Sequence, residues 1–505
     1  MSLGRPGVRA MRWSVLTGAA RLVLQIGAQV ALARLLGPQA FGLFAIGMVV
    51  LTLAGFVAGF GLSWSLMQRA EIDEQDIRFA WTWQLLAGLL AVLALQALAP
   101  ALAAVFKEPA AESVIRWLSW SCLLQAATAP SSCLLTRALN FRALGLIQLG
   151  SYLVGYGGVG IALAWAGLGV HALVAAWLVQ AAVAMLASLA ACRHPVKPLL
   201  WYERAGQTLV TGQAVFVTNL VNWSLANLDR VLIGRLLGTW SLGLYNVAYN
   251  LASVPNSVLL GALQPAFLAA GAQMQGQGNR LAQAYLQMLA ALLVVAVPVF
   301  AVSALLAGDL VQILYGTQWR AAGPVLAWLL AFMPALAIWG ISTPVLWNTG
   351  RRQHEWALQL PLIGLGAIMI GAVAPWGIEA AASAAALLLL ARALLLVGAA
   401  LSALDLTWWE LAPQAWRSVW LTSAAVGLSW AAQSPLEGSA PWLRLAAGAL
   451  APATVLALVL YARPAWLARC LGPQAWSMVL RFAPRLHRPL AGSGRMALPN
   501  PSHRT

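Results

Sequence analysis

Apolar runs of about twenty residues recur along the whole chain, separated by short polar connectors. A hydrocarbon core about 30 Å thick takes about 20 helical residues at 1.5 Å each. The pattern therefore predicts fourteen spans, at 12–34, 41–64, 79–104, 113–135, 143–165, 168–191, 208–235, 240–268, 281–308, 322–347, 356–375, 377–403, 412–432 and 442–462. Tryptophans cluster at their ends, among them Trp64, Trp165, Trp201, Trp376 and Trp409, as expected of side chains that settle at the headgroup level. The first run is too long, and too interrupted by Arg21, for a cleaved leader. The predicted fold is an all-α polytopic membrane protein.

An internal repeat refines this picture. Residues 34–44 read RLLGPQAFGLF and residues 235–245 read RLLGTWSLGLY, an offset of 201. Both copies link one predicted span to the next, and six spans separate them. An even number gives both halves the same orientation, so the repeats are parallel and related by an axis along the membrane normal. The expected organisation is an N-terminal six-helix lobe at 1–200, a second at 201–405, two additional spans within 406–462, and a basic tail at 463–505. That tail carries an amphipathic pattern suited to the membrane surface up to about Phe482, with a disordered end expected from Gly492.

Composition agrees. Of 505 residues, 61% are hydrophobic and only 9% charged, against about a quarter in soluble domains. The net charge of +16 is topological rather than a nucleic-acid footprint. With the N-terminus inside, 21 of the 30 Lys and Arg fall in the termini and inward connectors, six fall outside, and three (Arg21, Arg230, Arg392) fall within spans. Basic residues concentrate on the cytoplasmic side, which predicts both termini there.

Several chemistries are missing. Neither Lys107 nor Lys197 sits in a Gly-Lys-Ser/Thr phosphate loop, no two aspartates are spaced D-x-D, and there is no G-x-S-x-G elbow. The four cysteines form no C-x-x-C and no cluster with histidine. No catalytic residue, metal site or cofactor is predicted, and connectors of about fifteen residues at most leave no room for a catalytic domain. The acidic stretch at 71–78 reads as a solvated loop, and the five glycines at 150–160 as a close-packing face or a hinge.

Certain segments carry a family likeness: ARLLGPQAFGLF at 33–44, LTRALNFRAL at 135–144, AGLGVHALV at 166–174, NLDRVLIGRLLGTWSLGLYNVAYNLASVP at 227–255, LYGTQWRAAGPVLAWL at 314–329 and NTGR at 348–351. In this order, over roughly residues 10–403, the chain resembles the polysaccharide transporter family (Wzx-type flippases) of the multidrug/oligosaccharidyl-lipid/polysaccharide exporter superfamily. His171 stands where that family often has tryptophan, and the last two spans match nothing diagnostic. The resemblance implies a two-lobed, 14-span fold around a central cavity in the bacterial inner membrane. It also implies a cargo, an undecaprenyl-diphosphate-linked oligosaccharide flipped between leaflets, with polysaccharide polymerase and chain-length proteins as further partners.

Such a cargo requires cations for its diphosphate and amides, hydroxyls and rings for its glycan. Arginine suits the first, because its fork binds phosphate bidentately and stays charged. Arg21 is the leading candidate: a charge inside a span costs about 2.5–3.5 kcal/mol unless it faces water or a partner, and the resemblance places an arginine at this offset in related lipid flippases. Arg392, mid-span, either joins it or pairs with a neighbouring helix. The seventh span is the most polar, and Asn219, Asn222 and Arg230 fall near one face. Asp229 and Arg230 form an ion pair or gate, and Asn246 and Asn250 in the eighth span are one turn apart. Asn222, Asn246 and Asn250 are the expected sugar contacts and Arg230 a second phosphate contact. Interhelical hydrogen bonding is the alternative use of these amides. A multidrug exporter is the rival reading, disfavoured because the first six spans hold no carboxylate.

Overall fold

The computed structural model describes residues 5–59, 72–195, 197–202, 205–273, 278–350 and 352–462. The tail from 463 therefore lies outside the described residues. Among those described the fold is all helical, without strands. We name the helices in order: α1 Arg5–Gly59, α2 Glu74–Phe106, α3 Ala110–Arg137, α4 Phe141–Trp165, α5 Val170–Ala191, α6 Ala205–Gln273, α7 Asn279–Leu305, α8 Ala307–Tyr315, α9 Ala322–Asn348, α10 Arg352–Val373, α11 Ile378–Ala403, α12 Ala412–Gln433 and α13 Pro441–Ala462. Nine helices among the described residues are long and apolar enough to cross a membrane. Their exposed side chains are those of a protein in lipid: Val23, Leu90 and Ile368 face outward along the helices, and Trp165, Trp376 and Trp409 are exposed at helix ends.

The long helices α1 and α6 each run through a repeat copy and bend at its glycine. Gly37 has φ 73°, ψ 175°, and Gly238 has φ 81°, ψ 179°. This region is open essentially to glycine alone. The same backbone break thus recurs 201 residues apart.

The next glycine of each copy explains the repeat further. A Cβ on Gly42 would lie 2.6 Å from the carbonyl carbon of Thr239 and closer still to its oxygen, while a Cβ on Gly243 would lie 2.7 Å from the carbonyl carbon of Pro38. Pro38 and Thr239 are equivalent positions, as are Gly42 and Gly243. The two turns therefore pack reciprocally, each bare Cα against the other's peptide carbonyl, in a local two-fold arrangement.

The break at Gly37 also strands carbonyls. Pro38 has no N–H to return to Arg34 O, and buried acceptors need partners. Gln318 Nε2 donates to Ala33 O and Arg34 O, both at 3.1 Å, and Trp319 Nε1 donates to Ala33 O at 2.9 Å. Arg34 Nε donates in turn to Leu314 O at 2.8 Å. Trp319 is fully buried and packs edge-on against Phe41 with centroids 5.5 Å apart. The LYGTQW segment is thus a cap for the first repeat. Trp319→Phe keeps an aromatic ring but removes one of the two donors to Ala33 O, so we expect a loss of about 0.5–1.5 kcal/mol. Trp319→Ala is expected to cost more, about 3–5 kcal/mol. Thermal unfolding of the detergent-solubilised protein will rank the two.

The helices gather into two compact units, each discontinuous in the chain. The first comprises Met1–Val254, Leu314–Val325 and Trp356–Ala385; the second comprises Pro255–Ile313, Leu326–Glu355 and Ala386–Thr505. In the first, the acidic stretch at 71–78 departs from expectation. Helix α2 starts at Glu74 behind a capping box of Asp73 and Asp76. Asp76 is buried and accepts a hydrogen bond from Tyr202. Asp76 thus serves the helix N-terminus, where its charge meets the helix dipole, while Asp73 and Glu74 remain exposed.

In the second unit, Tyr285 and Ser342 share a hydrogen bond of 2.8 Å, and Asn256 Nδ2 donates to Met333 O at 2.7 Å. The buried Glu355 accepts from Trp347 Nε1 at 2.7 Å. A π turn at Leu292–Ala296 interrupts α7, and Ser418 of α12 donates to the Leu293 carbonyl within it. Asp309 of α8 pairs with Arg444 of α13.

Candidate functional site

Arg21 sits on α1 beside α4, and three rungs fix it there. Arg142 lies over the Trp13 ring at 5.1 Å. Gly145 leaves room for the Thr17 side chain, which a Cβ at that position would overlap. Gln148 Oε1 accepts from Arg21 NH1 at 2.9 Å. Steps of four on α1 (13, 17, 21) meet steps of three on α4 (142, 145, 148), the spacing at which two helical faces run side by side. One turn beyond Gln148, Tyr152 stacks on Tyr156 at 4.7 Å between centroids. Directly after Tyr152 the helix widens into a π turn over Leu153–Gly160, a feature common at functional sites. The glycines of this stretch divide by role: Gly155 and Gly160 face α5 so closely that a Cβ would strike Ala176 or Gln180, whereas Gly150 has open space around it.

The second group lies on α6, on both sides of its bend. Arg230 NH1 donates to Asn227 Oδ1 at 3.1 Å, and the guanidinium lies 4.5 Å from the Tyr249 ring centre. Its Nε is buried and has no partner. Asp229 is buried; it accepts from the Arg230 backbone N–H at 2.8 Å and from the Tyr245 hydroxyl. Tyr245 and Tyr249 are one turn apart and face this cluster. Asn246 and Asn250, each one residue further on, sit about 100° round the helix, half-buried and exposed respectively. Asn222 is half-buried two turns before Arg230. The side chain of Asn219 lies outside the described ones.

Arg392 belongs to the second unit. It is buried, and its guanidinium stacks on Trp339 at 3.9 Å, a cation–π contact worth about 2 kcal/mol or more when desolvated. The structure thus groups Asp229 and Arg230 with two tyrosines and Asn227, and gives Arg21 a glutamine and Arg392 a tryptophan. Gln148, Tyr152 and Trp339 were not picked out by the sequence reading. Asn227, Tyr245 and Tyr249 enter it only as members of the family-like segment at 227–255.

The fold is shared with a known architecture. The structure superposes on the lipid II flippase MurJ in its inward closed conformation with a TM-score of 0.71, at 12% identity, over 89% of this chain and 98% of that one. It superposes on an inward-facing multidrug resistance transporter of the MATE family with a TM-score of 0.60, at 15% identity, over 76% and 94% of the two chains. This is the fold of the multidrug/oligosaccharidyl-lipid/polysaccharide transporters, and the protein is a multi-pass membrane protein. Within that class, residues 31–324 match the family described as polysaccharide biosynthesis protein, and the chain belongs to that family. Among relatives, the succinoglycan biosynthesis transport protein ExoT of Rhizobium meliloti is 26% identical over 367 residues, 72% of this chain and 74% of its own. The lipopolysaccharide biosynthesis protein WzxC of Escherichia coli is 24% identical over 332 residues, 65% and 66% of the two chains.

Proposed function

We propose that the protein is a flippase for undecaprenyl-diphosphate-linked oligosaccharide repeat units, moving them from the cytoplasmic to the periplasmic leaflet of the inner membrane for exopolysaccharide or lipopolysaccharide synthesis. The working form has fourteen spans with both termini cytoplasmic, and two six-span lobes (1–200 and 201–405) that rock about a central cavity in alternating access. No covalent step is involved.

One observation carries this reading. Arg21 and Arg230, both inside long apolar helices, direct their guanidinium groups at neutral groups: a glutamine, an asparagine, a backbone carbonyl and a tyrosine ring. The neighbouring carboxylate of Asp229 is taken up by Tyr245 and a backbone N–H. Arg21 thereby holds positive charge in place for an anion that arrives with the cargo, and Arg230, partly offset by the adjacent carboxyl group of Asp229, offers it hydrogen bonds. A buried guanidinium N–H without an acceptor, such as Arg230 Nε, costs about 1–3 kcal/mol or more until one comes. Phosphate oxygens meet that need, and Asn222, Asn246 and Asn250 contact the sugars.

The test is deletion in the native host, with surface polysaccharide and the leaflet distribution of lipid-linked repeat units quantified. The expected result is loss of polymer with repeat units accumulating in the cytoplasmic leaflet. Unchanged polysaccharide together with new sensitivity to cationic drugs would favour a multidrug exporter on the same fold.

A further inference from the structure

Helices α3 and α5 run alongside each other and are joined near both ends. Ser113 and His171 approach at 3.4 Å, and Ser131 Oγ donates to Cys192 O at 3.4 Å. Between these points the helices flank an open cleft of about 320 Å³, at the small end of ligand-binding cavities. Each helix contributes residues at i, i+3, i+4 and i+7, one face of a helix: 125, 128, 129 and 132 from α3, and 177, 180, 181 and 184 from α5. Alanines at 129, 181 and 184 make the space. Gln125, Thr128, Ser132, Trp177 and Gln180 add polar groups to a mostly apolar lining, and no lining side chain is charged.

Two of these groups are unsatisfied. Trp177 Nε1 and Gln180 Oε1 are both buried and have no hydrogen-bond partner. One is a donor and the other an acceptor, separated by one turn on the same face. Thr128 sends its proton to Leu124 O at 2.7 Å, which leaves its oxygen as an acceptor. Orphaned buried polar atoms are rare in native proteins and ask for a ligand. A hydroxyl, which donates and accepts at once, satisfies this pair once the two side chains turn their buried atoms to the cleft; an acyl chain satisfies neither, and the neutral lining offers nothing to a phosphate.

We propose that this cavity is a saccharide subsite that holds one uncharged sugar ring, with Trp177 and Gln180 sharing its hydroxyls. The assignment rests on the proposed flippase role and adds to it a glycan contact on α3 and α5. Gly155 places α4 directly against Gln180, so the π turn of α4 supports the subsite wall.

The experiment uses the purified full-length protein in nanodiscs, with methyl glucoside and N-acetylglucosamine as probes and saturation-transfer NMR as readout. Gln180→Met, which preserves volume, removes the acceptor, and Ala181→Leu fills the space. Each is expected to weaken sugar binding at least tenfold with the unfolding temperature unchanged, and glucose 1-phosphate is expected to bind no better than glucose. Binding by both folded variants equal to wild type, or no binding of either sugar to wild type, would overturn the assignment and leave a water-filled cavity. The flippase role is scored separately by the deletion strain. A normal polysaccharide level there sinks that role without touching the binding result. Should one variant fail to fold, Ser132→Ala and the other variant decide.

Discussion

Gly42→Ala will remove most of the folded protein from the membrane. The added methyl group would penetrate the Thr239 peptide, and a backbone carbonyl has no rotamer by which to move aside. Overpacking commonly costs about 1–3 kcal/mol and more where nothing yields, a large share of a total stability of about 5–15 kcal/mol. Gly243→Ala, aimed at the Pro38 peptide, will do the same. Because both variants open one shared contact, the double variant will be little worse than either single one. Gly364→Ala is the control: it has nothing within 4 Å and should unfold at the wild-type temperature or slightly above, since alanine restricts the unfolded chain. Fluorescence-detected gel filtration after a heating series measures all four. A monodisperse Gly42→Ala protein as stable as the control would show that the two turns do not pack this way.

Arg21→Ala is expected to lower surface polysaccharide at least tenfold while leaving folded protein at wild-type levels. Charge-assisted hydrogen bonds contribute about 1.5–3 kcal/mol each, and a diphosphate cargo would lose them without Arg21. Arg21→Lys keeps the charge and gives up the bidentate fork, so a partial defect is expected. Gln148→Leu leaves the arginine in place but unheld, and should fall between wild type and Arg21→Ala. Complementation of a deletion strain, with polymer and lipid-linked repeat units measured together, reads out the series. Full polysaccharide from Arg21→Ala would remove this residue from the transport path.

The sequence made some of this legible and hid the rest for identifiable reasons. Apolar run length located the helices, because the bilayer imposes a minimum length. The repeated RLLG located both helix breaks, because only glycine tolerates that backbone. The Asn227–Arg230 contact was within reach, being three residues apart on one helix. Arg21 and Gln148 are 127 residues apart, and neither residue's surroundings name the other. The same holds for Arg392 and Trp339. Four acidic residues among eight look solvated, and the burial of Asp76 is hidden because its partner, Tyr202, is more than a hundred residues away. The cavity between α3 and α5 was present as a pattern: Gln125, Thr128 and Ser132 share a helix face. Small and polar residues on one face also serve simple helix packing, so only the space between the helices tells the two uses apart.

The reciprocal packing of the two repeat turns has a consequence for ancestry. A surface that meets its own equivalent across a two-fold axis is what a symmetric homodimer has. A chain containing only the first RLLG turn would present half of an isologous interface and would complete it only with a second copy of itself. The 201-residue period is the spacing that joining two such copies end to end would leave. The two turns still share the RLLG that bends each helix and the glycine that accommodates the other's carbonyl.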